Sequence, residues 1–173
     1  MARLVTLAVY NRGNLSKTHQ SAPDQAYSWR LLILPKDLEE RRSAFAFEAT
    51  TASEVDPTTS RLVNPSGDWW VRASQNLDPT TDRTLVGQIA IGEIPESVSL
   101  DEISKILFKV PRPGGPQQSG ATWALDAIAA MQKQSWAWNF DLGRFKDVAL
   151  HYSTERMRQG ATSEPSFKYY GKN

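Results

Sequence analysis

Leu85-Val86-Gly87-Gln88-Ile89-Ala90-Ile91-Gly92-Glu93-Ile94-Pro95-Glu96-Ser97-Val98-Ser99-Leu100-Asp101-Glu102-Ile103-Ser104-Lys105-Ile106-Leu107-Phe108-Lys109-Val110-Pro111 is the stretch in which the chain changes its period. Leu85 to Ile91 is apolar and partly β-branched, which reads as a strand closed by Gly92. Ser99-Leu100-Asp101-Glu102 then forms a capping box, in which the serine hydroxyl and the glutamate carboxylate satisfy amides at a helix start. Leu100, Ile103, Ile106, Leu107 and Val110 follow at helical spacing, and Pro111 ends the helix.

Upstream of that switch the chain reads as strands. Arg3 to Tyr10 carries Leu4, Val5, Leu7 and Val9. Tyr27 to Leu34 ends at Pro35. Ala44 to Thr50 alternates, with Phe45 and Phe47 on one face and Glu48 on the other. Asp68 to Ala73 contains Trp69, Trp70 and Val71. Downstream the chain reads as helices. A stiff Pro/Gly loop, Pro111 to Pro116, leads to a helix from Gly120 to Lys133. Asp141 caps a third helix holding Phe145, Val148, Ala149 and Tyr152. Strands first and helices later predict an α+β fold, an antiparallel sheet of about five strands followed by two to three helices, over alternating βαβ units. Residues 1–160 form one domain in this reading, and 161–173 are a polar C-terminal tail in which Phe167, Tyr169 and Tyr170 are available to dock.

Composition removes several function classes. With no cysteine, the chain has no disulfide, no thiolate zinc or iron–sulfur site and no cysteine nucleophile. Two histidines, His19 and His151, are too few for a three-histidine metal centre and show no ligand spacing, so no metal and no cofactor are expected. Lys+Arg 20 against Asp+Glu 19 gives a net charge of +1 without a dense basic run, which argues against nucleic-acid binding. Leu4 to Val9 is too short for a membrane span of ~20 residues or for a signal-peptide core, so a cytoplasmic location is expected. The sequence leaves homo-oligomerisation open.

No phosphate-cradling glycine motif and no Gly-x-Ser-x-Gly is present. His19 reads as an exposed loop residue, and His151 as a residue near a helix end that supports the dipole or fills a core edge. The six tryptophans read first as core. Strand alternation places Trp69 and Trp70 on opposite faces, so at most one lines a given cavity.

Two separated segments carry a resemblance. Tyr27-Ser28-Trp29-Arg30-Leu31-Leu32-Ile33-Leu34-Pro35-Lys36 is similar to a strand that reads Tyr-His-Trp-Ala followed by aliphatics. Ser119-Gly120-Ala121-Thr122-Trp123-Ala124-Leu125-Asp126 is similar to a helix that begins Asn-Cys-x-x-Trp/Phe-Val. With the strand–Ile91-Gly92–helix run between them, most of the chain resembles a family of small fungal proteins. That family is in turn similar to the circularly permuted papain-like group that includes the lecithin–retinol acyltransferase-like enzymes. In such enzymes the histidine is the base and the cysteine the nucleophile. In the register set by Trp123 and Asp126, Ser28 stands at the histidine position, Gly120 at the cysteine position and Ser119 at the asparagine position. A third polar residue falls near Glu48.

The resemblance therefore implies a permuted papain-like cleft emptied of thiol chemistry, enlarged and suited to an apolar or aromatic small molecule. Glu48 and Ser28 are the expected catalytic residues, with Glu48 as an acid–base group of raised pKa in an apolar cleft. Tyr10, Tyr27, Trp29, Ser119, Gly120 and Trp123 are the expected ligand-binding residues. The expected function is a cofactor-free enzyme of fungal-type secondary metabolism that promotes cyclisation, isomerisation or elimination by non-covalent acid/base placement. The alternative is a catalytically dead pseudoenzyme that binds a ligand or a protein.

Overall fold

A computed structural model describes residues 2–12, 26–37, 43–159 and 165–171. In chain order the elements are β1 (Arg3–Asn11), β2 (Tyr27–Pro35), β3 (Ala44–Thr50), β4 (Glu54–Val55), β5 (Leu62–Val63), β6 (Trp70–Leu77), β7 (Leu85–Ile94), α1 (Leu100–Leu107), α2 (Gly120–Lys133), α3 (Leu142–Gln159) and β8 (Phe167–Tyr169). Six strands make one sheet in the order β6-β3-β2-β1-β7-β8, and β4 pairs with β5 in a small separate ribbon. The fold is α+β, as the change of period predicts.

The sheet is mixed instead of purely antiparallel. β8 runs parallel to β7, with Gln88 opposite Phe167 and Ala90 opposite Tyr169. Residues 167–169 of the expected polar tail are therefore the sheet's edge strand. Tyr170 then inserts its ring edge-on against Phe140 and Phe145, at centroid distances of 4.8 and 4.9 Å. The strand is short and half-buried, so its own sequence carries little signal.

β1 is central and buried on both faces, which is why it reads as a nearly continuous apolar run. Val5, Leu7, Val9, Trp29, Leu31, Ile33 and Phe47 point to the face on which the helices lie. There α2 packs on β2 and β3, α3 packs on β7, and α1 leans on α2. Trp29 and Trp123 are 1% and 0% exposed in this core. Each removes ~200 Å² from water, worth about 5 kcal/mol at ~25 cal/mol/Å² before entropy is counted.

The second face has its own smaller core of Leu4, Ala8, Tyr10, Leu32, Leu34, Ala44, Ala46 and Ala90. No described helix packs on it; its described cover includes the link between β6 and β7. Those two strands run the same way on opposite sides of β3, β2 and β1, so residues 78–84 must cross the sheet. Asp82 in that link reaches Arg30 of β2 at 3.8 Å. Small alanines on this face leave room for a backbone to pass.

β7 also departs from the expected end at Gly92. Its pairing with β1 slips between Val5 and Thr6 and again between Val9 and Tyr10, so Ile91 and Val86 are extra residues in bulges. The two bulged carbonyls do not go unpaired. Ile91 accepts from the Trp138 amide at 2.8 Å, and Val86 accepts from Arg156 Nε at 3.0 Å. Gly92 permits the first of these contacts: a Cβ there would collide with the Trp136 carbonyl and the Ala137 Cα. Gly92 is thus where the segment after α2 docks on the sheet, and the strand continues to Ile94.

The helix readings hold with small shifts. α1 has its capping box at Ser99 and Glu102 and ends at Leu107. α3 starts after Asp141, whose Oδ1 accepts from the Arg144 amide at 2.7 Å. It extends to Gln159, which places His151 within the helix, exposed to solvent, away from either the core or the helix end. His19 lies outside the described residues. No helix among the described residues is long and apolar enough to cross a membrane.

Candidate binding cleft at the start of α2

The N-terminus of α2 and the first residues of β2 meet at one end of the sheet. The stiff 111–118 loop sets this approach. Arg112 Nη1 donates to the Trp69 carbonyl at 3.3 Å, and the Gly114 amide donates to Gln118 Oε1 at 2.6 Å. Between the two elements is a cavity of about 70 Å³ lined by Tyr27, Ser28, Trp29, Ser119 and Gly120 among others. Five of the eight sequence-derived candidates therefore surround one space, although they come from segments far apart in the chain.

The other three do not. Trp123 is fully buried one turn further along α2 and does not line the cavity. Tyr10 and Glu48 project from the opposite face of the sheet. The alternation that sends Trp29 and Phe47 toward the helices sends Ser28, Arg30 and Glu48 away from them. Ser28 touches both environments: it lines the cavity, and its hydroxyl makes a long 3.4 Å hydrogen bond to Glu48 Oε2.

Glu48 is 5% exposed, but its surroundings are not the apolar cleft that the resemblance implies. It sits directly opposite Arg72 across the β3–β6 pair and beside Arg30 on β2. Arg30 Nε donates to one carboxylate oxygen at 3.1 Å. Arg72 Nε donates to the other at 3.2 Å, and Arg72 Nη2 also reaches that second oxygen. Arg72 Nη1 extends to Glu54 at 2.8 Å. Both carboxylate oxygens are thus occupied by fixed cations, an arrangement that ties three strands together and presents no open acid–base group to the cavity. Tyr10 belongs to the same face. The Arg30 guanidinium lies 4.2 Å from its ring centroid. Burial pushes the Tyr10 phenol up to about 12, against the lowering effect of Arg30 and with a further rise from Asp82 and Glu48.

The expected enlargement at Gly120 is modest. A Cβ there would lie 3.1 Å from the Ala49 carbonyl, so the missing side chain lets α2 settle against β3 and does not leave a deep hole. The space is about half the ~150 Å³ at which an engineered apolar cavity takes up benzene.

The chemistry of the lining is polar and rich in donors. Ser119 precedes α2 with extended backbone, φ −142° and ψ 179°, and its amide donates to Thr122 Oγ1 at 3.1 Å. Its own hydroxyl takes the capping-box position toward the Thr122 amide but is buried without completing a hydrogen bond among the described residues. Trp29 Nε1 is likewise buried without an acceptor among them. Arg12, Ala49, Thr50, Thr51 and Trp69 complete the wall. Sequence reasoning missed these five. Only the Trp69–Trp70 alternation hinted at one of them: Trp69 faces the cleft, while Trp70 Nε1 turns away to donate to the Ala52 carbonyl at 2.9 Å. No group of three or more His, Cys, Asp or Glu side chains among the described residues could hold a metal ion.

Three helices on one face of a six-stranded mixed sheet, with a small polar cleft where β2 and α2 begin, define an α+β protein whose cleft holds neither thiol nor, among the described residues, imidazole. Residues 2–169 match a family described as "Family of unknown function (DUF6914)", and the chain belongs to it. No curated protein and no solved structure matches the chain.

Proposed function

We propose that this chain is a non-catalytic binding protein on a scaffold of the permuted papain-like type, and that its ligand enters the cleft between β2 and α2. One observation carries the reading. Tyr27, Ser28, Trp29, Ser119 and Gly120 surround a single cavity in which, among the described residues, no nucleophile–base pair is present and buried polar groups lack partners. A buried donor without an acceptor costs about 1–3 kcal/mol, a cost that a ligand able to satisfy it removes. The enzymatic reading, a cofactor-free cyclase, isomerase or lyase, needs an acid–base group in the cleft. Glu48, its candidate, is held by Arg30 and Arg72 on the other face.

The test is ligand-observed NMR with a panel of small polar and aromatic molecules against the intact chain and Gly120→Val, whose larger side chain presses on the Ala49 carbonyl and closes the cleft. Binding by the intact chain that disappears in a folded Gly120→Val supports the reading. Binding unaffected by that substitution places the ligand elsewhere, and conversion of a bound compound to product returns the enzymatic reading.

A further inference from the structure

Every polar side chain that lines the cleft is able to donate a hydrogen bond. We propose, resting on the reading of the cleft as a ligand site, that the first turn of α2 together with Ser119 and Trp29 binds the oxyanion group of the ligand, a carboxylate or a phosphate. The backbone bonding of α2 opens with the Trp123 amide donating to the Ser119 carbonyl at 3.3 Å. That leaves the amides of Gly120, Ala121 and Thr122 without an intrahelical acceptor, at the positive end of a fourteen-residue helix. A serine in this position ordinarily turns its hydroxyl back to cap one of those amides. Ser119 stands in that arrangement with Thr122, yet its Oγ completes no hydrogen bond among the described residues, although the residue is only 5% exposed and lines the cavity.

Trp29 repeats the pattern from the sheet side. It is 1% exposed, lines the same cavity, and its indole N–H has no acceptor among the described residues. Two buried polar groups from different elements, both without a completed hydrogen bond among the described residues, belong to residues that line one small space together with Gly120. The charges agree with this assignment. Among the described residues no carboxylate lines the cavity, and the first turn of α2 contains no acidic residue. The cavity's about 70 Å³ exceeds what a single water needs, ~10–15 Å³, and suits a compact charged group better than a ring. Gly120 contributes by having no side chain to shield its own amide from an incoming oxygen.

The experiment uses the full chain at constant ionic strength set by sodium chloride. Inorganic phosphate and sodium acetate are the two oxyanion probes, and acetamide and glycerol are the neutral ones. The expected result is a saturable rise in Tm and a change in tryptophan fluorescence with phosphate or acetate, and none with the neutral probes. Whichever of the two oxyanions binds more tightly identifies the group recognised. Ser119→Asp supplies its own carboxylate to the helix start. It is expected to raise Tm without added anion and to abolish the response.

Ser119→Ala keeps the fold measurable should the aspartate variant fail, because the hydroxyl completes no hydrogen bond that the fold would lose. Its affinity for the anion is expected to fall about tenfold, the worth of one hydrogen bond to a charged group. A response that persists undiminished in both variants overturns the proposal. A response to the neutral probes alone overturns it while leaving the cleft as a ligand site. Silence from all four probes overturns it too, and the NMR panel with Gly120→Val then decides separately whether the cleft binds anything.

Discussion

Replacing Glu48 by glutamine separates an architectural carboxylate from a catalytic one. Glutamine keeps the shape and one acceptor oxygen. It also turns an NH2 group toward a guanidinium that now has nothing to donate to at that position. Three hydrogen bonds from Arg30 and Arg72 to a charged acceptor are weakened or lost. Breaking a fully buried ion pair by removing one partner costs about 3–5 kcal/mol. Arg30 and Arg72 are not fully buried, with side chains 19% and 21% exposed, and each has a second carboxylate nearby, Asp82 at 3.8 Å and Glu54 at 2.8 Å. Solvent and those neighbours absorb part of the loss, which brings the expected cost to about 2–3 kcal/mol. For a chain of this length that is a fall in Tm of roughly 5–10 °C. Urea unfolding followed by circular dichroism is the assay, with a lower midpoint and an unchanged m-value expected. Ligand binding in the cleft, on the other face of the sheet, is expected to survive in the folded variant. A Tm within about 1 °C of the parent, or a folded variant that loses cleft binding, would refute the assignment of Glu48 to the strand-tying network.

Further outcomes follow from other particular contacts. Tyr10 has its phenol raised from about 10 to about 12, so the folded state holds its proton more tightly than the unfolded state. The resulting stability is fully present below pH 10 and lost as pH rises toward 12, roughly 2–3 kcal/mol in all. Tyr10→Phe, which removes the titrating hydroxyl, is expected to lose less stability than the parent between pH 10 and 12 in a pH series of urea unfolding. Gly92→Ala is expected to destabilise by about 3–4 kcal/mol, combining overpacking against backbone with loss of the Trp138–Ile91 hydrogen bond, and thermal unfolding measures it. Tyr170→Ala removes the ring between Phe140 and Phe145 and is expected to cost about 2 kcal/mol. A negligible change there would show that the C-terminal segment is the polar tail its composition suggests.

The amino-acid sequence determined the element types because periodicity is a local property. Alternation in Ala44 to Thr50 put Phe47 and Glu48 on opposite faces, the capping box at Ser99 fixed the start of α1, and Pro111 bounded its end region. It also placed Tyr27, Ser28, Trp29, Ser119 and Gly120 together, through a resemblance in which two separated motifs share one cleft. Tertiary structure alone decided the rest. That Glu48 stands in a row with Arg30 and Arg72 depends on the register of three strands, and a shift of one residue in any of them would break it. β8 exists because residues 167–169 find the open edge of β7, a pairing between segments far apart in the chain. The modest cavity at Gly120 was equally invisible in the chain, since it depends on how closely α2 rests on the backbone of β3. A missing side chain makes room only where nothing else moves in to occupy it.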